Sequence, residues 1–149
     1  MNELGELKQA KILKLEKLQQ VLDSGQFAPA NVSYEHYFAD GMYCRAMNIP
    51  AGVMAVGAIH KKEHFGIVAK GTLILVDGDS DPVTLTAGSI VEAFPGVKRA
   101  VFALEDSKFV NVTKLQNPTE RDLDTIWDET VCNTLNDYLA YTGEPCLLE

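Results

Sequence analysis

Ile59-His60-Lys61-Lys62-Glu63-His64, with Lys70-Gly71 following, and the later stretch Ala87-Gly88-Ser89-Ile90-Val91-Glu92-Ala93-Phe94-Pro95-Gly96-Val97-Lys98-Arg99 decide how this chain is read. Each joins a short apolar run to a turn marked by glycine or proline, the punctuation that separates strands. Outward from them, from Tyr34 to Lys114, apolar and polar residues alternate with a period of two. Candidate strands are Met42 to Ile49, Met54 to His60, Phe65 to Ala69, Thr72 to Val76, Pro82 to Leu85, Ile90 to Phe94, Ala100 to Leu104 and Phe109 to Val112. Eight short strands within about 80 residues predict a sandwich or a closed barrel. Asp77-Gly78-Asp79-Ser80-Asp81 lacks the later Glu of an EF-hand loop and reads as a solvated hairpin.

The flanks have a different period. Leu4, Leu7, Leu15, Leu18, Val21 and Leu22 fall on one stripe at 100° per residue, predicting an amphipathic helix within residues 1–25 that ends at Asp23-Ser24-Gly25. Ile12 and Leu13 lie off that stripe, so the helix has a second apolar surface for its own barrel or another subunit. After Asn117-Pro118, Thr119 is the expected N-cap of a helical segment over 118–143. Leu123, Ile126, Trp127, Val131, Leu135, Tyr138 and Leu139 recur along it at helical spacing, Gly143 and Pro145 stop it, and Trp127 reads as core.

At 149 residues the chain suits one domain, with strands over 34–114 between the two helical flanks. The net charge of −8 is concentrated beyond residue 104, where ten acids face three bases. Without a basic stripe, general nucleic-acid binding is not expected. Cys44, Cys132 and Cys146 form no C-x-x-C and read as reduced thiols. No signal-like or membrane-spanning apolar run is present, so the expectation is a cytoplasmic protein with no membrane partner.

His36-Tyr37-Phe38-Ala39-Asp40-Gly41-Met42-Tyr43-Cys44-Arg45, Ile49-Pro50-Ala51-Gly52, the two segments quoted first, and Ala103-Leu104-Glu105-Asp106-Ser107 together resemble a single cupin domain. In style the match is to short cupin-like proteins of tailed phages. The resemblance implies an all-β fold: a jelly-roll barrel with an N-terminal amphipathic helix and a C-terminal helical segment. A metal-binding cupin presents two His at H-x-H spacing, a Glu a few residues on, and a third His after the later turn. The matching positions here are Ala58, His60, His64 and Arg99.

That departure shapes the functional reading. Arg99 is a permanent cation that cannot ligate a metal. If His60, His64 and Arg99 line one cavity, joined by Lys98 and Arg45, the site suits phosphate or carboxylate. The favoured expectation is a non-enzymatic, homo-oligomeric binder of a small anionic ligand with no cofactor. The phage resemblance implies a sponge for a nucleotide-type host signal. The alternative is a metal-dependent isomerase, epimerase or dioxygenase holding one divalent transition metal through His60, His64 and Glu63, with Glu92 able to compensate. A structural or assembly role in a virion is the third reading. The strand pattern leaves open which face Arg45 occupies, and His36 reads as a packing or capping residue.

Overall fold

The computed structural model describes residues 3–23, 31–78 and 81–148. In chain order its elements are α1 (Glu3–Leu22), β1 (Ser33–Ala39), β2 (Met42–Ile49), β3 (Met54–Val56), β4 (Ile59–His60), β5 (His64–Lys70), β6 (Thr72–Val76), β7 (Val83–Thr86), β8 (Ile90–Ala93), β9 (Ala100–Ala103), β10 (Ser107–Lys114), α2 (Leu123–Thr130), β11 (Val131–Cys132) and α3 (Leu135–Thr142). All strand pairs are antiparallel. One sheet has the order β1-β2-β10-β5-β8, a second β3-β9-β6-β7, and β11 pairs with β4.

Side-chain alternation makes the core. Ile49, Val68 and Phe109 point inward from the five-stranded sheet and meet Leu73, Val101 and Ala103 from the four-stranded one. Ile49, Val68 and Leu73 are at most 1% exposed, and each such burial contributes about 1.5–3 kcal/mol. Tyr43, Leu115 and Ile126 close one end of the barrel. Ile12 of α1 packs with Ile59, Cys132 and the α3 residues Leu135, Tyr138 and Leu139 in a separate cluster.

The strands match the expected rhythm with two differences. Ser33–Ala39 is an additional strand, paired in full register with β2 across the Asp40-Gly41 turn, where Gly41 takes φ 75°. Its inward side chains are the polar aromatics Tyr34 and His36 followed by Phe38, so it lacks the aliphatic alternation that marks the other strands. The expected strand Met54 to His60 is divided: Gly57 donates its N–H to Arg99 O at 2.9 Å, and the chain re-enters pairing as β4 against β11.

The helical flanks differ more. Leu4, Leu7 and Val21 are 84%, 41% and 49% exposed, whereas Ile12 and Leu15 are each 2% exposed. The docked face of α1 is therefore the one carrying Ile12 and Leu15; of the leucine stripe Leu15 is buried, while Leu4, Leu7 and Val21 stay outside. Its position is held by Gln9, whose Nε2 donates to Pro145 O at 3.1 Å and whose Oε1 accepts from Leu147 N–H at 2.8 Å. The expected single C-terminal helix is two. Asp122, not Thr119, caps α2 by accepting from Thr125 N–H at 3.0 Å, and Thr119 instead bonds to Asn117 Oδ1. Pairing of Val131 and Cys132 with β4 interrupts the helix, Thr134 caps α3, and Gly143 ends it with φ 76°. Ser24, Gly25, Asp79 and Ser80 lie outside the described residues. Among the described residues no helix is long and apolar enough to cross a membrane.

Candidate functional site

A cavity of about 120 Å³ opens between the inner faces of the two sheets beneath α2. Arg45, Met47, Phe109 and Asn111 enter it from the five-stranded sheet, Arg99 and Val101 from the other side, and His60, His64 and Trp127 from its rim. A second chamber of about 200 Å³ shares Tyr34, Arg45, His60, Asn111 and Trp127 with the first and continues to His36, Tyr43 and Asp124.

Register decides what faces this space. His36, Arg45, Asn111 and Gly66 form one inward cross-strand row. Gly66 leaves the row open: a Cβ there would stand 2.6 Å from Phe109 Cζ. The Arg45 guanidinium carbon lies 4.1 Å from the centroid of Tyr34 and 5.1 Å from that of Trp127, held by two aromatic faces. Trp127 is fixed in turn by donating from Nε1 to Asn133 Oδ1 at 3.2 Å. Arg99 donates from Nη2 to Glu92 O at 3.4 Å. Among the described residues neither arginine forms an ion pair. Among the described residues the lining of the first cavity contains no Asp or Glu.

The two histidines stack with ring centroids 4.0 Å apart and planes tilted by 31°. Burial, followed by the influence of His64, Arg45, Arg99 and Lys98, pushes His60 down to about 3. Burial also lowers His64, aided by Arg99 and opposed by the Lys62 carbonyl. Both imidazoles are therefore neutral at pH 7. His64 Nδ1 lies 3.2 Å from that carbonyl, which can only accept, so Nδ1 carries the proton and Nε2 keeps its lone pair.

The fold thus brings together His60, His64, Arg99 and Arg45. It does not bring Lys98 or Glu63 to them. Lys98 points to the opposite side of the strand from Arg99, is buried, and donates from Nζ to Gly57 O at 2.9 Å. Burial lowers its pKa, and Glu16 of α1 opposes that. Glu63 is exposed on the turn, and Glu92 pairs with Phe65 on the outer face of the sheet. Among the described residues no group of three or more His, Cys, Asp or Glu converges. A firmly held divalent ion needs three or four N/O donors. Two imidazoles beside two guanidinium cations do not fit that requirement.

His36 packs: its ring lies parallel to Tyr43, with Nδ1 2.6 Å from the tyrosine oxygen. Tyr34, Asn111 and Trp127 escaped the sequence reading. Asn111 had a signal, as the lone amide at an inward position of an apolar strand. Trp127 had none, because helical spacing cannot separate a core residue from one that leans over a cavity.

No family model and no curated protein matches the chain. Solved structures similar to it include KdgF from Halomonas sp., at 16% identity and TM-score 0.51 over 67% of this chain and 88% of that one. An RmlC-like cupin from Shewanella frigidimarina matches at 18% identity and TM-score 0.50, over 64% and 84%. Salicylate 1,2-dioxygenase from Pseudaminobacter salicylatoxidans matches at 16% and 0.51, over 68% of this chain but 32% of its own. At these identities the common property is the fold. The antiparallel sheets of this chain are folded like those of these solved cupin structures.

Proposed function

We propose that this chain binds a compact anionic small molecule, a carboxylate or phosphate with a small apolar body, without converting it. One observation carries the reading: among the described residues, Arg45 and Arg99 face a cavity whose lining holds no carboxylate, and neither forms an ion pair. A guanidinium in a partly dehydrated site binds such a group through forked, charge-assisted hydrogen bonds. Aromatic contacts orient Arg45 before the guest arrives, which lowers the entropy lost on binding. Met47, Val101 and Phe109 offer the apolar body its contact surface. Asp124 stands in the second chamber, so the negative end of the guest belongs in the first. Sequestration of a nucleotide-type signal, extending through both chambers, is the narrower form of this proposal, and its support is the resemblance to phage cupin-like proteins.

The test is isothermal titration and thermal shift with inorganic phosphate, benzoate and adenosine monophosphate, using wild type and Arg99→Met. Binding by at least one anion, weakened tenfold or more in the variant, with the guest recovered unchanged, supports the proposal. Absence of binding to all three at millimolar concentration, equal affinity in Arg99→Met, or chemical conversion of the guest contradicts it. Stoichiometric retention of iron, manganese, nickel or zinc would favour the metal-dependent alternative instead.

A further inference from the structure

The outer face of the five-stranded sheet is apolar where alternation normally places polar residues. Tyr37, Val112 and Phe65 occupy one outward cross-strand row, and Val110, Ile67 and Ile90 the next. Tyr37, Phe65 and Ile90 are 54%, 50% and 66% exposed. Antiparallel sheets with one solvated face ordinarily read polar on that side. Contiguous patches of this kind mark interaction surfaces.

Three features point to the occupant. Glu35, at one end of this face, is already neutralised within one copy: it accepts from Tyr37 at 2.7 Å and Asn48 at 2.9 Å, and pairs with Lys108 at 2.9 Å, while Glu92 stands on the edge strand β8 beside Phe65. Docking therefore strands no charge of that cluster, and no oppositely charged partner is called for. The face is centred on β10, the middle strand of the five, which carries Val110 and Val112. A twofold axis beside β10 sets these valines against their own copies, the self-complementary arrangement of a closed dimer. Five strands of four to eight residues span roughly 550 Å² in projection at standard strand spacing. Two copies face to face then bury upward of about 1,100 Å², within reach of specific interfaces.

We infer that a second copy of this chain docks on the outer face of the five-stranded sheet, making a twofold dimer. The cavity lies on the other side of the same sheet, so both cavities in the dimer remain open, and the inference is independent of what they bind.

The test is sedimentation equilibrium of the full chain at about 5–50 µM, for wild type, Phe65→Glu, Ile90→Glu and the α1 variant Leu4→Glu. The expected result is a dimer for wild type and Leu4→Glu, and at least thirty-fold weaker association for Phe65→Glu and Ile90→Glu. Circular dichroism checks that each is folded. Ile90 lies on the edge strand β8 and supplies an answer if Phe65→Glu fails to fold. A monomeric wild type, a closed trimer or higher species, a dimer that persists in a folded Ile90→Glu protein, or a dimer split by Leu4→Glu alone would each overturn the inference.

Discussion

Acid should unfold this protein through its stacked histidines, in a pH range where carboxylates contribute little. His60 is pushed from its ordinary 6.5 to about 3, chiefly by burial. Above pH 6.5 it is neutral in both folded and unfolded chains and adds no pH dependence. Below 6.5 the unfolded chain takes up a proton that the folded chain refuses, so stability falls as pH falls, until about pH 3 is reached. One fully unmatched proton lowers stability by about 1.4 kcal/mol per pH unit, and since the unfolded histidine is half protonated at 6.5, His60 alone removes roughly 2 kcal/mol between pH 6.5 and 4.5. His64 is shifted in the same direction and adds to the slope. Glu35, held at about 2 by hydrogen bonds from Asn48 and Lys108, and Asp122, lowered by Thr125, also lose stability as pH falls, but in a lower window. Their stabilising effect is intact above the ordinary carboxylate range and disappears only below it. Urea unfolding followed by the fluorescence of the single tryptophan, Trp127, gives the free energy at each pH. The slope between pH 6.5 and 4.5 should be steep in wild type and clearly shallower in His60→Asn, whatever the variant's absolute stability. A flat wild-type profile, or an equal slope in the variant, would refute the buried, neutral assignment of His60.

Anion affinity should rise as pH falls from 7.5 to 5.5, because a bound negative charge raises the imidazole pKa values and draws in a proton. Titration calorimetry in buffers of different ionisation enthalpy should show that proton uptake. Gly66→Ala should reduce stability by about 1–3 kcal/mol, since its Cβ would stand 2.6 Å from Phe109 Cζ, and should weaken anion binding by forcing that ring into the cavity. Lys98→Met should leave anion affinity within about twofold while lowering stability by about 1–3 kcal/mol, because the carbonyl of Gly57 loses its donor. Asp122→Ala should cost about 1 kcal/mol in the same urea assay by uncapping α2.

Much of the barrel is legible in the chain itself. Met42–Ile49 and Thr72–Val76 stand where their period-two pattern puts them, because alternation over a buried face is a local constraint that the residues must satisfy. Gly41, Gly71 and Gly143 stand at positive φ, where a side chain is disfavoured, so turns and a helix end can be read from composition. At Gly71 a Cβ would also meet Asp106 O at 2.5 Å and collide with Ser107. The placement of His60 and His64 on either side of a single turn is likewise visible in one dimension.

Which side of a strand looks inward is not in the pattern. Arg45 alternates with Tyr43 and Met47, and only pairing with His36 and Asn111 turns it toward the cavity. The docked face of α1 was likewise settled by the surface it meets: the cluster of Ile59, Leu135 and Tyr138 accepts Ile12, so Leu4, Leu7 and Val21 of the leucine stripe stay outside. Lys98 and Arg99 are adjacent in sequence, yet one reaches the carbonyl of Gly57 and the other lines the cavity with the imidazoles. The amino-acid order thus determined a strand-rich fold flanked by helices, with two histidines on one turn and an arginine after the later Pro-Gly turn. Tertiary structure alone decided which charges share one enclosure, because that depends on register and docking between segments far apart in the chain.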